Sequence, residues 1–420
     1  MTIERAKGTR DLLPEDEILR NEIIDTLKKT FENYGFSPIE TPIIERYETL
    51  TSKYAGGSEI VKEMFKLKDQ GDRDLGLRYD LTVPLARVIV MNPQQKMPFK
   101  RYEIGEVFRD GPIKLGRYRQ FTQCDADVVG NKNMMADVEC IKLAREVFSR
   151  LNMKVTIEVN NRKILDSLLD YLKIPNEKRE ATMIAIDKIK KVGPSEVKNE
   201  LKNTGIEEEK IREMMKIFST KGNNKSKIAT VKKIINGEGI AEIEQVFNNI
   251  EEDNVEFNIA LARGLAYYTG TVFEVYANDK EVSVAIAGGG RYDNMIRSFS
   301  EGKREVPAVG ISFGLEPITD ILKKQKQTKK SVTKAYIIPI NTAKKALEIA
   351  DSIRKEMINV DIDLMERGIG KNMEYANTLG IPYVIFIGEK ELKNNKIKLR
   401  DMKTGKEKLV SIKDAVKILK

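Results

Sequence analysis

The chain has 420 residues, with 73 Lys plus Arg against 64 Asp plus Glu, two Cys and no His. The empty histidine column excludes His general bases, Ser-His-Asp and Cys-His nucleophile systems, and every His-containing metal site. Cys124 and Cys140 are too few for a four-ligand zinc site or a disulfide framework, so the chemistry must run on carboxylates, Arg, Lys, Tyr, hydroxyls and backbone amides. That set suits reactions driven by positioning and charge stabilisation, phosphoryl or nucleotidyl transfer above all.

The first seven residues lack the apolar core of a secretory signal, and no apolar run approaches the ~20 residues of a membrane span. A cytoplasmic protein without membrane association is expected. Residues 15–34 place Ile18, Leu19, Ile23, Ile24, Leu27 and Phe31 at helical spacing. The following stretch, Phe36 to Glu45, carries two prolines and reads as an extended segment for a sheet edge or a subunit boundary. Phe99 to Val129 reads as strand, loop, strand, with Gly and Pro marking a turn at 110–116. Another strand is expected at 154–159. Residues 161–252, rich in Lys and Glu with Leu, Ile and Met at helical spacing, read as a helical insertion. Strands return at 271–276 and 282–287, the second ending in Gly288-Gly289-Gly290. Hairpin-like strands with helices kept apart predict an antiparallel α+β body over 1–160 and 253–320.

Residues 321–330 hold five lysines and no acid, a polar linker. Residues 331–420 carry 18 Lys and Arg against 12 Asp and Glu. The last hundred residues therefore carry +11, and the first 320 sum to −2. That asymmetry is expected when one end grips a polyanion, although lysines that merely solubilise a small domain look the same. Strand 334–340, helix 342–357, strand 360–364, helix 370–379 and strand 382–387 alternate as in a small parallel α/β domain.

The densest chemistry lies in the hairpin. If both arms are strands, Arg101, Glu103 and Arg109 share one side of the first. Arg117, Arg119, Gln123, Asp125 and Asp127 share a side of the second. Such a face could hold a substrate with phosphate at one end and a cationic group at the other, since the planar fork of Arg reads phosphate oxygens. The alternative is a solvated hairpin laced with cross-strand ion pairs. Arg263 and the paired Tyr267-Tyr268 sit in a Gly-flanked turn that could complete a polar pocket or simply pack. Gly288 to Gly290 admits close backbone approach by a ligand, or marks a bulge or tight turn.

Taken together these segments resemble the class II aminoacyl-tRNA synthetases, and among them the histidyl-tRNA synthetase family. Lys7-Gly8-Thr9-Arg10-Asp11-Leu12-Leu13-Pro14 is similar to that family's N-terminal signature, and Phe36 to Glu45 to motif 1. Phe108-Arg109 through Arg119-Gln120-Phe121 resembles motif 2, and Val306 through Glu316 motif 3. Arg263-Gly264-Leu265-Ala266-Tyr267-Tyr268 and Gly288-Gly289-Gly290-Arg291-Tyr292-Asp293 resemble its histidine-specific segments.

The resemblance implies a class II antiparallel-sheet catalytic domain with a helical insertion, plus a C-terminal anticodon-binding α/β domain. It implies a homodimer that activates histidine with ATP and Mg²⁺ and transfers it to the 3′ end of tRNA(His). Arg109 would hold the ATP α-phosphate, and Arg117 and Glu316 would serve ATP as well. Asp80 and Thr82 would hold the substrate amino group, and Gln123 its carboxylate or ammonium end. Asp127 and Tyr268 would read the imidazole in a pocket lined by Tyr267 and Tyr292. Arg263 would bring positive charge to the α-phosphate and carboxylate. Where motif 3 of the family carries Arg, this chain has Pro317, leaving Arg117 or Arg291 for the ATP tail. The Arg78-Tyr79-Asp80 form resembles the archaeal and eukaryotic branch, and an archaeal origin is expected. Two rivals stand beside this reading, a non-catalytic regulatory paralogue of histidine biosynthesis and a synthetase for another amino acid.

Overall fold

The computed structural model describes residues 3–52, 61–113, 118–250, 254–263, 267–278, 285–325 and 328–420. The chain divides into two units, Met1–Arg10 with Ile23–Leu322, and Asp11–Glu22 with Lys323–Lys420.

The first helix runs Pro14–Asn33, and Leu19, Ile23, Leu27 and Phe31 are buried along one stripe, four residues apart. It stops before Gly35, whose φ of 76° suits a residue without a Cβ. The proline-marked segment then supplies two short strands, β1 (Ser37–Pro38) and β2 (Ile44–Arg46). β2 joins β3 (Lys66–Lys68) and β4 (Asp74–Leu77) in an antiparallel sheet ordered β2-β4-β3.

The main sheet is built from β1, β5 (Phe99–Phe108), β6 (Gln120–Val129), β7 (Val155–Asn161), β8 (Val255–Phe257), β9 (Thr271–Ala277), β10 (Ala285–Arg291) and β11 (Ala308–Gly314). Its order is β1-β5-β6-β11-β10-β9-β7-β8. The five inner pairings are antiparallel and the two edge pairings parallel. Because side chains alternate along each strand, the two faces diverge in character. One face is apolar and closes on helices. Phe31 of the first helix lies 5.5 Å from Tyr102 and 5.6 Å from Phe313, and Phe148 of the helix Met135–Arg150 lies 5.7 Å from Phe313, ring centre to ring centre. The opposite face is polar.

Between β7 and β8 the described residues form seven helices, from Arg162–Tyr171 to Glu238–Asn248, and no strand. The chain leaves and re-enters the sheet on neighbouring strands. Asn160 at the exit donates to the Ile259 and Leu261 carbonyls, both at 2.9 Å, and so fixes the segment leading to Arg263.

The strand expected at 282–287 differs. Residues 279–284 lie outside the described residues, and β10 continues through all three glycines to Arg291. The triplet is mid-strand; the register shift lies just before it, between Ala285 and Ala287.

In the second unit the sheet order is β13-β12-β14-β15-β16, from β12 (Ala335–Ile340), β13 (Val360–Ile362), β14 (Tyr383–Gly388), β15 (Ile397–Asp401) and β16 (Glu407–Val410). The first three strands are parallel as expected, but β15 and β16 add an antiparallel extension, so the sheet is mixed. The helix Ala343–Arg354 packs on Ile337, Ile385 and Leu399. Ala376 of the helix Ile369–Thr378 packs with Tyr336, Ile338 and Phe386, residues of the other face.

Candidate active site

Register across the main sheet sets the polar face in rows. Arg101, Asp127, Gly310 and Gly290 stand opposite one another on β5, β6, β11 and β10. Two residues along, Glu103, Asp125, Ser312, Gly288 and Glu274 form a second row reaching β9. Gly105, Gln123 and Gly314 form a third.

The glycines in these rows are floor tiles. A Cβ on Gly288 would lie 2.5 Å from the Arg263 guanidinium, and one on Gly290 2.9 Å from the Tyr268 ring. A Cβ on Gly310 would meet Asp127 Oδ1 at 1.8 Å. Strand glycines here make room for functional side chains lying flat on the sheet.

The cross-strand ion pairs exist, and they are buried. Arg101 Nη2 lies 2.7 Å from Asp127 Oδ2. Glu103 Oε1 accepts from the Thr41 amide and hydroxyl, both at 2.8 Å, and from Arg78 Nη1 at 2.9 Å. Burial pushes the Asp125 and Asp127 carboxyls up, with Arg101 opposing. Asp125 shares a hydrogen bond with Ser312, and Gln123 Nε2 donates to the Ser312 hydroxyl at 3.0 Å. Asp125 Oδ1 and Gln123 Oε1 are buried acceptors without a hydrogen-bond partner among the described residues. Unpaired acceptors beside a carboxylate cluster suit a donor-rich cation such as an ammonium group.

Asp80 borders this acid end. Its Oδ1 accepts from the Val83 amide at 3.0 Å at the start of the helix Thr82–Met91, where Thr82 is the first residue. Burial raises its pKa to about 6, against the pull of that amide and of Arg109. Tyr267 and Tyr268 rings lie 4.5 Å apart, and Tyr292 meets Tyr267 edge-on at 6.2 Å. The Tyr292 hydroxyl donates to Asp127 Oδ1. Asp127 Oδ2 faces the Arg101 charge but, like Asp125 Oδ1, makes no hydrogen bond among the described residues, so the carboxylate keeps an acceptor for a ligand.

The cations are held as firmly. Arg109 Nε donates to the Tyr79 carbonyl at 3.0 Å, with the guanidinium 5.0 Å over the Phe121 ring. Arg263 Nε donates to Glu274 Oε1 at 2.7 Å. Gln123 and Asp127 are placed by β6, Asp80, Thr82 and Tyr292 by helix starts, and Tyr267 and Tyr268 by the turn before β9, with Arg263 lying against Gly288.

Three expected ATP residues fare differently. Arg117 lies outside the described residues. Glu316, buried, accepts from the Thr122 amide at 3.2 Å and lies 3.7 Å from Arg10, whose guanidinium stacks 4.2 Å over Tyr118. Arg291 is not placed for the ATP tail; it is buried and bound to Asp137, Asp293 and the Asn131 and Asn133 carbonyls. Ser312 and Glu274 escaped sequence reasoning. Their signal was a polar residue at an alternating strand position, legible only once the strands could be set in register.

The comparisons with known proteins are decisive here. The family described as "Histidyl-tRNA synthetase" matches residues 8–318, and "Anticodon binding domain" matches 334–420. The chain belongs to the histidyl-tRNA synthetase family. It is 43% identical to the Bacillus cereus protein named Histidine–tRNA ligase 1, over 98% of both chains. It is 36% identical to Histidine–tRNA ligase of Clostridium tetani, over 98% of this chain and 97% of that one. Among solved structures, histidyl-tRNA synthetase from Nostoc sp. PCC 7120 matches with a TM-score of 0.88 at 28% identity, covering 100% of this chain and 99% of that one. These relatives are bacterial, and lend the archaeal branch no support. The histidyl-tRNA synthetase fold therefore carries both the glycine-floored sheet and the anticodon-binding unit.

Proposed function

We propose that this chain activates histidine with ATP, taken as its Mg²⁺ complex, and transfers the histidyl group to the 3′ end of tRNA(His). The observation that supports it best is the mix of charges on one sheet face. Asp80, Asp125 and the Gln123 carbonyl supply acceptors, while Arg109, within electrostatic reach of Asp80, and Arg263, over Gly288 in the Asp125 row, supply cations. Histidine presents an ammonium group to the acceptors and its carboxylate to the cations.

Attack of that carboxylate on the α-phosphorus forms a C–O–P bond and expels pyrophosphate. The step brings anions together, so fixed guanidiniums lower its barrier without a proton-transfer base. Arg109 and Arg263 take that role, Arg109 toward the α-phosphate and Arg263 between phosphate and carboxylate. Thr82 and Gln123 join Asp80 at the ammonium. Tyr268 and Asp127, with Tyr267 and Tyr292 as walls, read the imidazole, a ring that offers both donor and acceptor. Glu316 and Arg117 complete the ATP side in this reading. The regulatory-paralogue and other-synthetase rivals are not favoured, because the curated relatives are named histidine–tRNA ligases over nearly the full chain.

Residues 334–420 bind the anticodon region in this reading, with the surplus of lysines meeting phosphate. A homodimer is proposed across the proline-marked segment, where Ile43 and Ile44 leave apolar side chains exposed. Sedimentation checks it: a dimer is expected, and a monomer at assay concentration would refute it. The catalytic reading is tested by Arg263→Ala. ATP binding should persist while ATP–pyrophosphate exchange falls by about 10²-fold or more; near-normal exchange would remove Arg263 from the chemistry.

A further inference from the structure

Arg263 is one end of a chain of contacts that reaches the helical insertion. Its Nε donates to Glu274 Oε1 at 2.7 Å, and the hydroxyl of Tyr276, two residues along β9 on the same face, donates to Glu274 Oε2. Both oxygens of Glu274 are therefore committed, one to the cation and one to the phenol. The face of the Tyr276 ring carries the Lys190 ammonium 3.1 Å from its centre. Lys190 belongs to the insertion helix Ile189–Val192, and its Nζ also donates to Glu158 Oε1 at 2.6 Å.

Register explains why these pieces need one another. Glu158 on β7 stands directly opposite Glu274 on β9, and Glu274 opposite Gly288 on β10, the floor under the Arg263 guanidinium. Two facing carboxylates repel unless each has its own cation. Glu274 has Arg263 and Glu158 has Lys190, with the Tyr276 ring between the two pairs. Withdrawing Lys190 would leave Glu158 with the neutral Asn258 amide at 2.9 Å but no cation, in front of Glu274, where it competes for Arg263. Asp187, in the insertion helix just before Lys190, sits within electrostatic reach of both Glu274 and Arg263.

We infer that Glu274 and Tyr276 are positioning residues for Arg263, and that Lys190 ties their geometry to the seating of the helical insertion. Glu274, Tyr276 and Lys190 act through Arg263, by fixing where its guanidinium points. The inference rests on Arg263 being the catalytic cation.

The test is ATP–pyrophosphate exchange by the full-length protein, with kcat and KM for ATP and histidine measured separately. A displaced guanidinium should cost rate and leave binding alone. Glu274→Gln is expected to lower kcat about tenfold or more, with both KM values within about twofold. Tyr276→Phe keeps the ring and its lysine, so it is the milder probe, and should lower kcat a few-fold. Lys190→Gln should do likewise from outside the catalytic sheet. Because the residues act through Arg263, Glu274→Gln on an Arg263→Lys background should cost less than about twofold more. Full additivity on that background, or wild-type kcat in Glu274→Gln and Tyr276→Phe, overturns the relay. Unchanged kcat in Lys190→Gln removes the insertion from it. If Arg263→Lys and Arg263→Ala themselves exchange normally, the catalytic reading of Arg263 has failed first, and the relay falls with it.

Discussion

Single residues in this site trade stability for function, and Asp80 shows it most plainly. Burial raises its carboxyl from the ordinary 3.8 to about 6, so the folded protein holds that proton more tightly than the unfolded chain. Its contribution to stability is therefore fully present below about pH 4 and is lost as pH rises to 6. At neutral pH the ionised group is a cost that an ammonium ligand would offset. Asp80→Asn keeps an acceptor for the Val83 amide and removes the charge. It should raise stability at pH 7 by on the order of 1–3 kcal/mol while raising KM for histidine steeply. Thermal unfolding and exchange kinetics check both halves; a destabilised variant with normal KM would contradict the assignment. The acid limb of the KM profile near pH 6 should shrink in that variant. What persists belongs to the imidazole of free histidine, whose own pKa is about 6.5.

Among elements, β10 carries the sharpest expectation. Gly288 and Gly289 differ by one position and point to opposite faces. A methyl at Gly289 would lie 1.9 Å from the Gly310 carbonyl oxygen, fixed backbone of the neighbouring strand. Gly289→Ala should therefore destabilise by roughly 3 kcal/mol or more. At Gly288 the obstacle is the flexible end of Arg263. Gly288→Ala should stay folded and lose kcat for exchange. If calorimetry shows the two variants equally stable, the facing described here is wrong. This contrast also marks what the sequence could tell. The β5–β6 hairpin was legible because its polar residues alternate within a few residues of each other. The glycine triplet was not, because glycine is the same sign for a turn and for a strand that must lie under a guanidinium. Arg291 beside it looked like a ligand-binding cation, and nothing local announces that Asp137, over 150 residues away, buries it. Pairing of β11 with β6 and of β9 with β7, strands distant in sequence, is what assembles Ser312, Glu274 and Asp125, and such registers leave no local trace.

At the scale of the whole molecule, the charge asymmetry predicts how activity divides. The last hundred residues carry +11 and the rest −2. Added salt should raise KM for tRNA steeply in the charging reaction. In exchange without tRNA, KM for histidine should move little, because its contacts are buried. Equal salt sensitivity in both reactions would contradict a division of labour between the two units. The change of rhythm after the lysine-rich linker makes the second unit readable from sequence, although β15 and β16, joined antiparallel after the βα alternation has ended, carry no such rhythm. The central claim is the identity of the amino acid. ATP–pyrophosphate exchange run with each of the twenty amino acids in turn tests it most directly. Exchange with histidine well above every other amino acid is the predicted result; exchange with proline or threonine instead, or with none, would contradict it.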